Sequence, residues 1–265
     1  MSEEQKIPCS VGMLSYNSEK DIRRALESVR DFAEIVVCDG GSTDATLSIA
    51  REFGARIIAQ KQEYLENGKI AHFGDARNHV LQETTCEWFL MLNPDESINA
   101  DALASIRKAV AGEPAAYWIP RRYVFKGTVI EYSTGYPNQQ IRLFAKSAVT
   151  GFIKRVHERI QPAEGAKVGW LEGYMYLDIS DDDPVEVKEK WRRYIEFEGR
   201  KKPRLSLREA LPVLLREGVN GIRFFGRWLR LPFCRGTRMP LSNEFLRVWY
   251  QYALISSVIR RISSL

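Results

Sequence analysis

The chain has 265 residues, 45% hydrophobic and 28% charged, with a formal net charge of +5. It can bury a sizeable core in one large domain or one domain with an appendage, and the composition excludes a disordered chain. Its charge is uneven: residues 1–184 hold 21 Lys/Arg against 27 Asp/Glu, and residues 185–265 hold 18 against 7. Four cysteines without paired spacing and only three histidines speak against a disulfide framework or a zinc cluster.

In chain order, Cys9–Leu14 predicts a first strand, and Ser18-Glu-Lys-Asp21 a capping signal before helically spaced Ile22, Ala25, Leu26 and Val29. Ile35–Cys38 is a second strand, followed by a helix capped by Ser42, Thr43 or Asp44 and stopped at Gly54. Arg56–Ala59 is a third strand and residues 60–73 a polar loop. Then come a short helix at Asp75–Gln82, a fourth strand at Trp88–Asn93 and a helix at Asp101–Ala111. Alternation of this kind calls for a parallel sheet with right-handed crossovers. After Pro114 the pattern changes. Ala116–Pro120, Tyr123–Lys126, Val129–Tyr132, Gln140–Ala145 and Arg155–Ile160 are short, alternating and punctuated by Gly, Pro and Asn, as antiparallel strands are. From Pro184 the chain reads as helical, broken at Pro203, Pro212, Pro232 and Pro240, so a division into 1–184 and 185–265 is expected.

Two strand ends carry chemistry. Glu34-Ile-Val-Val-Cys-Asp39-Gly-Gly-Ser-Thr-Asp44 stops a buried strand on a carboxylate, turns on two glycines and restarts as a helix with free N–H groups. Ligands of open α/β sheets bind at that edge. A carboxylate there needs a partner, and a nucleobase N–H or a ribose hydroxyl would serve; a capped strand–helix turn is the plainer alternative. The second strand ends on Asn93-Pro-Asp95-Glu96, where Asp95 is the obvious oxygen ligand for a hard divalent cation such as magnesium. Arg77, in Gly74-Asp75-Ala-Arg77-Asn78, can pair with a diphosphate or stack on a base.

With Leu14-Ser15-Tyr16-Asn17, these motifs resemble the family 2 glycosyltransferases of the GT-A fold. More narrowly, Gly135-Tyr-Pro-Asn-Gln-Gln-Ile-Arg142-Leu-Phe-Ala-Lys146 and Val156-His157-Glu158 resemble the branch of lipopolysaccharide inner-core β-glucosyltransferases. The resemblance spans roughly residues 9–200. It implies an α/β, Rossmann-like mixed sheet with an antiparallel addition and a helical C-terminal extension. It also implies an inverting hexosyl transfer from a nucleotide sugar, a UDP-sugar by family habit, to a saccharide or lipid-linked envelope acceptor. Residue by residue, Ser15, Asn17, Asp39, Asp44, Arg77 and Asn93 fall to the nucleotide sugar, Asp95 to Mg2+ or Mn2+, and Tyr136, Gln140 and Arg142 to the acceptor side. Glu158 is the candidate base, with His157 beside it. Two departures from the family stand out. Asn93 replaces the first Asp of the Asp-x-Asp motif, and Asp178 stands near where the branch places a histidine. Pointed into the cleft, Asp178 would restore the lost charge and ligate the metal.

Ile222–Phe233 and Phe245–Ile262 interleave arginines with aromatic and aliphatic residues, the ingredients of an interfacial helix on an anionic membrane. Packing against the body or a second subunit is the alternative; nucleic acid is not expected, for no binding module accompanies the charge. No apolar run approaches the roughly 20 residues that cross a bilayer, and Met-Ser-Glu-Glu-Gln-Lys lacks a signal-peptide layout. The expected location is cytoplasmic, peripheral at the inner face of a membrane. A nucleotidyltransferase and a sugar-binding homologue with a degenerate site are the competing functions. The former lacks its Gly-rich phosphate loop at Ser15-Tyr-Asn-Ser-Glu-Lys, and the latter is motivated by Asn93.

Overall fold

In the computed structural model, which describes residues 6–66, 69–153, 158–180 and 183–263, strand and helix alternate through the first 110 residues. The elements are β1 (Ile7–Ser15), α1 (Ile22–Ser28), β2 (Phe32–Asp39), α2 (Thr46–Glu52) and β3 (Arg56–Ala59). A minor antiparallel pair, β4 (Leu65–Glu66) and β5 (Lys69–Ile70), occupies the expected loop. Then follow α3 (Phe73–Glu83), β6 (Trp88–Met91), β7 (Glu96–Ile98) and α4 (Ala100–Val110). β1 pairs in parallel with β2 and β6, and β2 with β3. Strands covered on both faces need continuous apolar runs. Val11, Met13, Val37 and Leu90 pack on one side with Ile22, Leu26 and Ile106; Val36, Cys38 and Phe89 pack on the other with Val80. Gly12 interrupts the run in β1 because any side chain there would strike Phe89 and Val80.

The antiparallel addition comprises β8 (Ala116–Phe125), β9 (Thr128–Val129), β10 (Gln139–Ala145), β11 (Val149–Ile153), β12 (Arg159–Pro162), β13 (Val168–Trp170) and β14 (Met175–Asp178). The main path runs β3-β2-β1-β6-β10-β8-β14-β7, while β11 and β12 form a separate hairpin. Two segments read as separate strands are one, β8. Pro120 has no N–H to give, and the ladder resumes at Arg121, whose N–H donates to Asn138 O (2.6 Å). β7, too short and acidic to be legible, pairs antiparallel with β14. In β10, Ile141 faces Trp118 and Leu143 faces Tyr117, so Arg142 is the extra residue of a β-bulge.

The chain forms two compact units, Met1–Arg122 with Pro137–Asp178, and Tyr123–Tyr136 with Ile179–Leu265. The second thus takes a segment from the middle of the sequence, which the expected single division after residue 184 does not include. It holds α5 (Pro184–Lys201), α6 (Leu207–Arg230) and α7 (Leu241–Ser263). Asp183 caps α5 at the N–H of Val185 (2.8 Å), and Ser206 and Glu209 form a capping box for α6. Pro212 does not break α6 but lies inside it, where the missing N–H removes only one helical hydrogen bond. Leu205, Ala210 and Val258 form a small core with Val213, Leu214 and Ile262. Segment 123–136 is tied into the same unit. Thr134 N–H donates to Glu244 Oε1 (3.0 Å), Arg227 Nη1 to Thr134 O (3.0 Å), and Arg247 Nη2 to the Tyr123 hydroxyl (2.7 Å). Among the described residues no helix is long and apolar enough to cross a membrane.

Candidate functional site

β1, β2 and β6 end at one edge of the sheet, with Ser15 opposite Asp39 and Gly12 opposite Met91. The strand order reverses between β1 and β6, and the crevice at such a switch point is where open α/β sheets take ligands. Asp39 is 6% exposed. Its carboxylate accepts from Ser15 Oγ (2.8 Å), Ser42 Oγ (2.6 Å) and the N–H groups of Gly41 (2.8 Å) and Ser42 (2.7 Å). Gly41 sits at φ +92, a conformation that side chains disfavour, and this lets two successive N–H groups face one carboxylate. Asn17, itself at φ 45, donates its N–H to Ser42 Oγ (2.8 Å) and accepts at Oδ1 from Thr43 N–H (2.9 Å). Asp44 accepts from the N–H groups of Thr46 (3.0 Å) and Glu19 (3.1 Å). Ser15, Asn17, Asp39 and Asp44 therefore share one loop cluster. Burial, with the Asp39 and Glu83 charges adding, pushes the neighbouring Cys38 thiol up to about 12.

A second cluster centres on Arg77, carried on α3 and 6% exposed. Its Nε donates to Glu158 Oε1 (2.7 Å) and its Nη2 to Asn93 Oδ1 (2.9 Å). Arg77, Asn93 and Glu158, three residues far apart in sequence, are thus in direct contact. His157 lies outside the described residues. Asn78 exchanges two hydrogen bonds with Phe152 (2.9 and 2.7 Å) and so docks β11 onto α3.

Beneath Asn93 lies a network that the motifs do not announce. Glu96 is fully buried, and its Oε1 accepts from Arg121 Nη1 (3.0 Å) and Arg142 Nη2 (2.8 Å) while Oε2 accepts from Asn93 N–H (3.0 Å). Arg142 is 2% exposed, its guanidinium turned onto Glu96 rather than toward solvent. Arg142 Nε and Nη1 and Arg121 Nε are buried without a hydrogen-bond partner. Burial opposes ionisation of Glu96, yet Arg142 and Arg121 hold its carboxyl below the usual range. Burial pushes the Arg142 guanidinium down in spite of Glu96, with Arg121 and Arg77 adding to the effect. Glu96 is thus in contact with two buried guanidiniums, and Arg142 carries the burial that its contact with Glu96 does not offset. The sequence signal for this network is slight: Arg142 interrupts an apolar run before Leu-Phe, while Glu96 only extends the acidic turn at Asp95.

The main chain brings Asp178 beside Asp95, its N–H donating to Asp95 O (3.0 Å). The Asp178 carboxylate is engaged by Arg24 Nη1 of α1 (2.7 Å). Among the described residues no three His, Cys, Asp or Glu side chains converge as a metal centre. Such a set is not required where a cation also takes substrate phosphates, since magnesium commonly uses only one or two carboxylates. Gln140 is half-buried in β10 opposite Ile119. Tyr136 belongs to the helical unit, where its hydroxyl accepts from Tyr123 N–H (2.8 Å) and donates to Ile130 O (2.9 Å).

The mixed sheet, its strand-end site and the C-terminal helices define a fold of the GT-A glycosyltransferase type. Residues 10–162 match the profile of the family described as Glycosyl transferase family 2, and the chain belongs to that family. It is 28% identical over 234 residues to the SPbeta prophage-derived glycosyltransferase SunS of Bacillus subtilis, covering 87% of this chain and 50% of that protein. A TPR repeat-containing protein of Synechococcus elongatus is 28% identical over 152 residues, or 57% of this chain and 35% of its own. The chain thus spans about half, or less, of the length of these curated relatives. Among solved structures, a mannosyltransferase from Pyrobaculum calidifontis in complex with GDP-Man and Mn2+ is similar in fold, with a TM-score of 0.53 and 14% identity. The match covers 97% of this chain and 87% of that one.

Proposed function

We propose that the protein transfers a hexosyl group, with inversion, from a nucleotide sugar, specifically a uridine diphosphate sugar, to a saccharide or lipid-linked envelope acceptor. Within the family, the segment around Arg142 and the run at 156–158 favour the lipopolysaccharide inner-core branch. The observation that carries the proposal is the meeting of Arg77, Asn93 and Glu158 at the same sheet edge as the Asp39 loop. The Asp39 turn supplies a carboxylate and serine hydroxyls for a nucleoside. Arg77, already a donor to two oxygens, supplies the planar fork that suits a diphosphate. A divalent cation held by Asp95, with Asp178 alongside once released from Arg24, would neutralise charge on that diphosphate.

Glu158 is the base. Oε1 is held by Arg77, which leaves Oε2 to take the proton of an acceptor hydroxyl within about 3 Å, directly or through one water. The acceptor oxygen then forms its bond to the anomeric carbon as the bond to the diphosphate breaks, and the electron pair leaves with the phosphate. Asn93 keeps Arg77 oriented without competing for its charge, as an aspartate there would. Titration of the uridine diphosphate sugar into protein, with and without Mn2+, tests this assignment. Asp39→Ala should weaken binding at least tenfold while circular dichroism shows an intact fold. Equal affinity in both proteins would remove Asp39 from the site, and binding without any turnover would favour a degenerate homologue.

A further inference from the structure

We infer that one face of the α6–α7 pair is a docking surface for an anionic lipid bilayer. Along α6, Leu207, Leu211, Leu215, Ile222, Phe225 and Leu229 are all exposed, Ile222 by 74%. At 3.6 residues per turn they fall within an arc of roughly 80° and extend over roughly 33 Å of helix. Along α7, Leu241, Phe245, Val248, Tyr252 and Ile259 are likewise exposed, in an arc of roughly 60°. These are stripes rather than scattered residues, and a contiguous exposed apolar surface marks an interaction site.

The stripes lie on the same side of the pair. Leu205 N–H donates to Arg261 O (3.1 Å), which places the start of α6 at the end of α7, so the helices are antiparallel. Their contact uses Ala210, Val213 and Leu214 on α6 against Val258 and Ile262 on α7. In each helix the exposed stripe follows the contact residues by roughly 80–110° in the direction of increasing residue number. Antiparallel helices turn in opposite senses when seen from one end, so equal offsets point to one side. The face is therefore two helices wide. Trp249 and Tyr250 are not part of it: Tyr250 packs edge-on against Trp191 of α5, and Arg192 of α5 lies over Trp249.

Charge selects the occupant. Arg216, Arg223 and Arg230 recur every seven residues and line the outer border of the α6 stripe, all exposed. Arg216 is paired with Glu217 (2.9 Å), so Arg223 and Arg230 carry the argument from charge. Residues 207–263 contain ten arginines and three glutamates, and two of those, Glu217 and Glu244, are buried. The third, Glu209, is occupied in the capping box of α6. A second copy meeting this face about a two-fold axis would bring the same arginine-bordered, acid-poor patch, and so offers the arginines no complementary charge. A phospholipid surface offers the complementary sign at its headgroups and an apolar layer for the stripe. Trp228 at the edge of the stripe and Tyr252 within it suit the boundary between the two.

The test is co-sedimentation of the full chain with vesicles of phosphatidylglycerol and phosphatidylcholine, and with phosphatidylcholine alone. Binding should require the anionic lipid. Ile222→Ser with Phe225→Ser, both exposed and so tolerated by the fold, should abolish most of it. Replacing Arg223 and Arg230 by Gln should weaken it about 25-fold, at roughly fivefold per arginine near the surface. Nucleotide-sugar binding should be unchanged in both variants, which separates this inference from the donor assignment. Wild-type protein left in the supernatant at low salt overturns the inference. So does equal binding by the Ser variants, or a wild-type dimer in ultracentrifugation that those substitutions convert to monomer.

Discussion

Glu96→Gln and Arg142→Met should have very different costs, although both break the same buried contact. Glu96 is the sole carboxylate between two guanidiniums and also accepts the N–H of Asn93. The Gln variant leaves two buried positive charges facing a neutral amide. Removing one partner of a buried pair costs about 3–5 kcal/mol. For a unit of this size that corresponds to a midpoint lowered by roughly 6–20 °C. Arg142→Met leaves Glu96 paired one-to-one with Arg121 and removes two buried N–H groups that have no acceptor. The large cost of breaking a buried pair comes from the uncompensated charge left behind; here Glu96 keeps Arg121 as its counter-ion, so a loss under about 1.5 kcal/mol is expected. Urea unfolding followed by circular dichroism reads both values. Acid adds a second check: a carboxyl held below its usual range contributes stability that is present above its unfolded pKa and lost as pH falls through the folded one. Wild type should therefore weaken on acidification more steeply than the Gln variant. If Arg142→Met costs as much as Glu96→Gln, the reasoning from two charges on one carboxylate is wrong.

Glu158→Gln keeps size and a hydrogen bond to Arg77 but removes the basic oxygen, and should slow transfer about 10²–10⁴-fold with donor affinity intact; near-normal turnover would shift suspicion to another carboxylate. Asp95→Ala should abolish metal-dependent turnover, and Asp178→Ala should raise the Mn2+ concentration required; an unchanged Mn2+ titration removes Asp178 from the metal site. With its thiol pushed up to about 12 by burial, Cys38 should resist iodoacetamide at pH 8 in the folded protein, while half-buried Cys234 reacts. Labelling of Cys38 at a comparable rate would show that the end of β2 opens.

The parallel half of the fold was legible because β1, β2 and β6 are buried on both faces, so their apolar runs and the stops on Asp39 and Asn93 are written in consecutive residues. The Asp39 loop was legible for the same reason: Gly41, Ser42 and Asp39 act on one another within four positions. Contacts between distant residues were not. Nothing local predicts that Arg77 meets both Asn93 and Glu158, or that Asp178 reaches Asp95 along the main chain while its carboxylate turns to Arg24. Arg142 looked available to an acceptor, but a one-residue bulge and the pairing of β10 with β8 aim it inward. In the tail, apolar spacing identified the helices but could not say which apolar residues face inward. Leu246 and Val258 are buried, while the exposed stripe begins fifteen residues before Ile222, where the arginines are sparse.

The membership of Tyr123–Tyr136 in the helical unit governs how this protein can be taken apart. On paper a single cut after residue 178 or 184 separates the sheet from the helices. In the folded molecule, separating the units takes three: after Arg122, after Tyr136 and after Asp178. A truncated chain lacking the helices would keep the segment but lose Glu244, Arg247 and Arg227, which satisfy Thr134 and Tyr123, and Thr237, whose carbonyl takes the N–H groups of Glu131 and Tyr132. Stripped of those partners, that stretch becomes an unpaired backbone edge of the kind that recruits other chains. Insolubility of such a fragment would then report an orphaned hairpin, not an unstable sheet.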